Sequence, residues 1–308
     1  MFCLLALIVF SILGIFSASH RQLAKEAFDC VFRRVTLRPC NTGFDTKIKG
    51  KIIGKLLNRS EFVAKLLNKH FEIVSWVFFI LLLSSSLWVL RGGYNFYMYG
   101  SCNGLNESGF CAFDPSGENN KISQVDDSCS LNPPSESNLD LTALSLSEYP
   151  TKDVNSEDSL IFIGCYNCDY TRKAYPLIQK LQDNYEFNYT FIHFPVKEET
   201  SYISNYVYCA NLQDPEKLWL FNDKLFVSSK EDVANNEYVD KVAVEVGLDI
   251  DKLQVCVASE ETQKIVDDQF EQVRATEIYG TPTIFINGKA LVGPKPYRVY
   301  QRVLGKFW

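Results

Sequence analysis

Two stretches of the chain show no polar period at all. Residues 2–18 (FCLLALIVFSILGIFSA) carry no charge, and residues 71–90 (FEIVSWVFFILLLSSSLWVL) carry only Glu72, beside one edge. Twenty helical residues rise about 30 Å, one hydrocarbon core, so 71–90 reads as a membrane span. Trp76 and Trp88 near its ends suit the two interfaces. The alternative is a core helix that is apolar all round because it is buried all round. Residues 2–18 read as a second span, with a cleaved signal peptide as the alternative, since Ser17-Ala18-Ser19 supplies small residues. Against cleavage, no Lys or Arg precedes the run and the basic residues follow it. Between the two runs, residues 46–69 have helical periodicity with a Lys-rich face suited to an anionic leaflet.

The pattern then changes twice. Residues 91–156 are rich in Gly, Asn, Ser and Pro with little periodicity, which predicts a linker. From residue 157 the pattern is that of a packed domain. Ser159–Gly164 is a short apolar strand, an amphipathic helix follows to about Asn184 despite Pro176, and FNYTFIHFPV (187–196) is a second strand. Mostly helical periodicity fills about 198–275. A strand at Gly280–Ile286, the hairpin turn Asn287-Gly288, a strand at Ala290–Val292 and a helix from Pro296 to Leu304 complete the order β-α-β, helical insertion, β-β-α.

Charge refines this picture. The net charge of the 308 residues is −6, but residues 20–70 carry +8 and residues 91–308 carry −13. A basic loop between two apolar runs predicts that 20–70 lies on the cytoplasmic side and 91–308 outside, behind a two-span anchor at 1–90. An acidic outer domain excludes a general nucleic-acid binder. The lipid bilayer is the first expected partner.

Ten cysteines are many for a cytosolic enzyme and few for a disulfide-only miniprotein. Cys165-Tyr166-Asn167-Cys168 sits between the first strand and its helix. At a helix N-terminus free N–H groups favour a thiolate, and a second thiol one turn on can resolve a mixed disulfide. Half a zinc site and an inert bridge are the alternatives; no second CxxC or HxxxH exists to complete a metal site, and no cofactor is needed.

The stretch FIGCYNCDYTRKAYPLIQKL, the FIHFPV strand, the insertion, and GTPTIFINGKALVGPKPYRVYQRVL together resemble the DsbA-type thioredoxin-fold thiol–disulfide oxidoreductases over about residues 157–308. The resemblance implies an α/β thioredoxin fold with a helical insertion. It implies Cys165 as the attacking thiolate and Cys168 as the buried resolving thiol, with Thr281–Pro282 a cis peptide at a substrate-binding edge that takes an extended peptide as an added strand. Cysteine-containing proteins or peptides are then the substrates. A quinone-linked membrane thiol oxidase of the DsbB or vitamin K epoxide reductase type would be the electron partner. The Tyr166-Asn167 dipeptide is neither the Pro-His of well-known DsbA enzymes nor the Gly-Pro of thioredoxins, so the direction of electron flow stays open between oxidase, reductase and isomerase. From a different class, a redox-inactive peptide-binding or chaperone module would keep the fold, although such a module has no need of two vicinal thiols.

Outside the CxxC, Cys209 and Cys256 lie in two helical patterns of the insertion and make the natural structural disulfide, with two buried free thiols as the alternative. Cys102 pairs most simply with Cys111, leaving Cys129 odd, and Cys30 and Cys40 read as reduced thiols. His193, mid-strand beside Phe194, reads as structural, as do Trp219, Phe221 and Phe226. Asn106-Glu107-Ser108 fits a glycosylation acceptor.

Overall fold

The computed structural model describes residues 2–36, 43–58, 60–107, 109–124, 139–196 and 198–306. The chain divides into two compact units, Met1–Arg91 and Gly92–Trp308.

In the first unit, α1 (Phe2–Phe16) and α2 (Ala18–Val35) form a tight helical hairpin. Small residues make this approach possible: Ala6, Ala27 and Cys30 are buried together, ringed by Leu7, Phe10, Leu23, Val31 and Ile52. Cys30 is disulfide-bonded, not the reduced thiol its loop suggested, and Cys40 lies outside the described residues. Then come α3 (Phe44–Leu57), α4 (Glu61–Lys69) and the 29-residue α5 (Phe71–Tyr99).

Only Ser75 and Phe79 of α5 are buried, while Leu81, Leu87, Leu90 and Trp88 are 58%, 66%, 69% and 80% exposed. The buried-core alternative for this helix therefore does not hold. Among the described residues α5 alone is long and apolar enough to cross a membrane. Helix α1, 15 residues long, is shorter than the roughly 20 residues a span requires, so a second span is not shown.

The second unit is built on a five-stranded sheet. Its strands are β2 (Thr151–Lys152), β3 (Ser159–Gly164), β4 (Asn188–His193), β6 (Thr283–Ile286) and β7 (Lys289–Val292), in the order β2-β4-β3-β6-β7. β3 and β4 are parallel, joined by α6 (Asp169–Asn184), and the other pairings are antiparallel. The β6–β7 hairpin turns at Asn287 and Gly288, both with positive φ, 49° and 78°, as an Asn-Gly turn demands. Two further short strands, β1 (Ser123–Gln124) and β5 (Gly280–Thr281), pair with each other. Segment 91–156, expected as a linker, thus contributes β1 and β2 to this unit.

β3 is buried along nearly its whole length because both faces are covered. Leu160 and Phe162 pack with α6 residues Ala174, Ile178 and Leu181. Ile161 and Ile163 pack the other way, with Phe285, Val273 and Ile278. The insertion is six helices: α7 (Ile203–Gln213), α8 (Pro215–Val227), α9 (Lys230–Val233), α10 (Asn236–Glu245), α11 (Ile250–Val257) and α12 (Glu260–Ala275). Five of these start on a side chain that accepts from first-turn N–H groups, namely Asp214, Ser229, Asn235, Asp249 and Ser259. Those caps satisfy otherwise orphaned donors and set the helix boundaries. Phe221 and Phe226 are buried in the insertion core.

Cys209 on α7 is bonded to Cys256 on α11, and Cys102 to Cys111; Cys129 lies outside the described residues. Asn106 donates its side-chain nitrogen to the Ala290 carbonyl (3.0 Å) and accepts from the Val292 N–H (2.7 Å). The nitrogen that a glycan would need is thereby engaged in pinning this loop to β7. At the end of α5, Arg298 and Arg302 of α13 (Tyr297–Val303) donate to the Phe96, Tyr97 and Met98 carbonyls at 3.0–3.1 Å. They cap the last carbonyls of the helix, at the negative end of its dipole, with Phe96 also accepting the Gly100 N–H at 2.9 Å.

Candidate active site

Strand β3 delivers its last residue, Gly164, against α6. A Cβ at this position would stand 2.6 Å from the Thr171 methyl, so only glycine allows the strand and helix to close here. Thr171, fully buried, accepts the Cys165 N–H at 3.3 Å. Cys165 to Cys168 then form a turn closed by Cys168 N–H to Cys165 carbonyl (3.2 Å), and Cys168 is the N-cap of α6. The helix thus starts just after the motif, and Cys165 precedes it by a full turn.

Arg172 holds this turn from behind. Its Nε donates to the Tyr166 carbonyl at 2.6 Å, and its other nitrogens reach the Leu225, Phe226 and Ser228 carbonyls at the end of α8. Tyr166 is fully buried, its hydroxyl on Asn222 and its ring 4.5 Å from His193 and 4.7 Å from Phe226. Asn167 donates to Glu199 at 3.4 Å. The dipeptide is therefore packing, not a solvent-facing loop.

Cys165 and Cys168 are the free cysteines among the described residues, exposed by 0% and 1%. The Cys165 thiol is held well below the ordinary thiol range. The Cys168 thiol donating to its sulfur is the largest cause, with His193 and the Asn167 N–H adding to it against the opposing cost of burial. Cys168 is pushed up by the same hydrogen bond, by burial and by repulsion from the Cys165 thiolate, with the Ser123 and Thr281 hydroxyls pulling the other way. One proton is shared unevenly between two sulfurs, which leaves Cys165 the nucleophile. The Thr200 hydroxyl lies 3.8 Å from Cys165 Sγ.

Thr281 and Pro282 stand beside this pair, with their peptide bond cis and the Thr281 hydroxyl near Cys168. Cys165, Cys168, Thr281 and Pro282 thus form one site, while Cys209 and Cys256 belong to the insertion.

His193 joins the site, although its sequence position suggested only a structural role. Parallel pairing places it opposite Gly164, the residue before Cys165. Its Nδ1 meets the Ser204 hydroxyl at 2.8 Å, which fixes the ring, and it lowers the Cys165 thiol. The signal was present in the sequence. In a β-α-β unit the C-terminal ends of both strands lie side by side, so a histidine ending the second neighbours a cysteine following the first.

Residues 160–306 match the family model described as Thioredoxin. Similar solved structures include the catalytic domain of Proteus mirabilis ScsC, 19% identical over 53% of this chain and 92% of that one, with a TM-score of 0.46. BdbD from Bacillus subtilis is 16% identical over 53% and 94%, TM-score 0.48. The thiol-disulfide exchange protein alpha-DsbA2 from Wolbachia pipientis is 16% identical over 52% and 87%, TM-score 0.45. No curated protein matches the chain. Residues 160–306 form a thioredoxin-like domain, with the thioredoxin fold and a helical insertion.

Proposed function

We propose that the chain is a membrane-tethered thiol–disulfide oxidoreductase that forms disulfides in exported proteins. One observation carries this: two adjacent free thiols whose protons are partitioned so that Cys165 is the thiolate and Cys168 the thiol. In the oxidised enzyme a substrate thiolate attacks Cys165 Sγ, the intramolecular S–S bond breaks, and Cys168 leaves with the electron pair. Its raised affinity for a proton then quenches it as a thiol. A second substrate thiolate attacks the substrate sulfur of the mixed disulfide and expels Cys165 as the stabilised thiolate. The substrate loses two electrons and two protons; the CxxC gains both electrons and, on Cys168, one proton, and the second proton goes to solvent. Stabilising the Cys165 thiolate stabilises the reduced enzyme and so makes its disulfide oxidising. A quinone-linked membrane thiol oxidase would reoxidise the pair. Two disulfides in the second unit support an extracytoplasmic location, and the exposed apolar α5 supports the tether.

The test is Cys168→Ser in cells. It removes the escape thiol and is expected to accumulate substrates bound to Cys165 as mixed disulfides that reductant releases. Absence of such adducts would sink the oxidoreductase function. The potential of the couple sets direction: near about −120 mV an oxidase, near about −270 mV a reductase.

A further inference from the structure

The redox site has an occupant, supplied by the chain itself. β1 pairs antiparallel with β5, Ser123 opposite Thr281 and Gln124 opposite Gly280. The backbone edge at Gly280–Thr281, beside Cys168, is therefore already hydrogen-bonded to residues from the segment between α5 and β2. The fit is close. A Cβ on Gly280 would lie 2.5 Å from Ile122 Cδ1 and 2.7 Å from the Ser123 carbonyl oxygen, and one on Gly293 would lie 2.9 Å from Asn120 C and the Lys121 oxygen. The Ser123 hydroxyl reaches Cys168.

Upstream, the segment is held by polar anchors. Glu118 pairs with Lys173 and, at 3.0 Å, with Lys121. Asp114 accepts the Glu118 and Asn119 N–H groups at 3.2 and 3.1 Å, and Lys295 donates to Asn120. Glu118–Lys173 is a solvent-exposed ion pair and β1–β5 a two-residue bridge, both weak holds, so Ile122–Gln124 can leave its seat while the buried Lys295 keeps Asn120 in place.

A substrate thiolate must reach sulfur along the S–S axis, and both sulfurs are sealed from solvent. We propose that Ile122–Gln124 is a self-bound strap, seated as a pseudo-substrate strand, which an extended, cysteine-bearing polypeptide displaces before thiol exchange. This rests on the oxidoreductase function proposed above. An unfolded chain carries free backbone donors and acceptors to replace those of β1, whereas a folded one does not. The strap thereby makes the site selective for unfolded substrates.

The test uses the full-length chain in detergent with the double variant Ile122→Gly/Ser123→Pro, which removes the apolar seat and one backbone donor. Glu118→Gln, which loosens only an anchor, is the second variant. Two rates are read: iodoacetamide alkylation of reduced Cys165, and single-turnover exchange with an extended cysteine peptide. Reaction of a sealed thiol scales with its open population, so both rates should rise about tenfold or more in the double variant and by less in Glu118→Gln. Unchanged rates in folded variants would overturn the strap. If the double variant fails to fold, Glu118→Gln decides alone. Faster alkylation without exchange in any form would uphold the strap and defeat the oxidoreductase function instead.

Discussion

His193 and Cys168 both act on the Cys165 sulfur, and their effects are separable. Replacing His193 by Phe keeps a ring between Tyr166 and Ser204 but removes the imidazole whose hydrogen bond and electrostatic pull lower Cys165. The thiolate absorbance of Cys165 should then titrate at higher pH, and exchange should slow at neutral pH while the thermal midpoint changes little. An unshifted titration would return His193 to a purely structural role. The depressed Cys165 pKa also links redox state to stability. In the disulfide neither sulfur titrates, so this stabilisation belongs to the reduced form alone. It is fully present above the ordinary thiol value of about 8.5, and lost as pH falls through the lowered value. Cys168, shifted upward, opposes it only near and above that ordinary value. Denaturant unfolding of reduced and oxidised protein across a pH series should show the reduced form losing its advantage on acidification. A pH-independent difference would contradict the assignment of Cys165 as thiolate.

Among the elements, Cys209–Cys256 ties α7 to α11 across a sequence separation of 47 residues. Chain-entropy theory gives about 4 kcal/mol for a loop of that size. Cys209→Ala should therefore lower the thermal midpoint by roughly 10 °C. A wild-type midpoint would mean that the reduced insertion is held by its core alone. Most elements could be read from the chain: β3, α6, β4 and the β6–β7 hairpin sit within a few residues of their periodicity. What the pattern concealed was long-range. Nothing local in Ser123–Gln124 marks a strand, because a two-residue bridge has no period and exists only through its partner at 280–281. Likewise His193 alternates like any strand residue, and its neighbour Cys165 appears only once β3 and β4 are set in parallel register. The split of the third strand at Pro282 follows from the missing N–H of proline, which interrupts a ladder.

For the whole molecule, α5 is the element on which the proposed tether rests. Its outward Val77 and Leu81 are 50% and 58% exposed. Changing both to Lys places two charges near the middle of the apolar run, costing about 2.5–3.5 kcal/mol each in a bilayer centre. The wild-type chain should stay with membranes through an alkaline carbonate wash, and the double variant should appear in the supernatant. A wild-type chain extracted by carbonate would remove the tether from the proposed function.

The arginine caps on α5 also bear on the order in which the chain folds. Arg298 reaches the Tyr97 carbonyl across 201 residues, and Arg302 across 205. Loop closure of that length is unfavourable until almost everything between has condensed. During synthesis the end of α5 emerges early, and its Tyr97 and Met98 carbonyls stay solvated until α13 arrives. Contacts made so late are absent from the folding transition state, so their loss acts on escape from the native state. Arg298→Met should speed unfolding in a chevron experiment while leaving the refolding limb nearly unmoved.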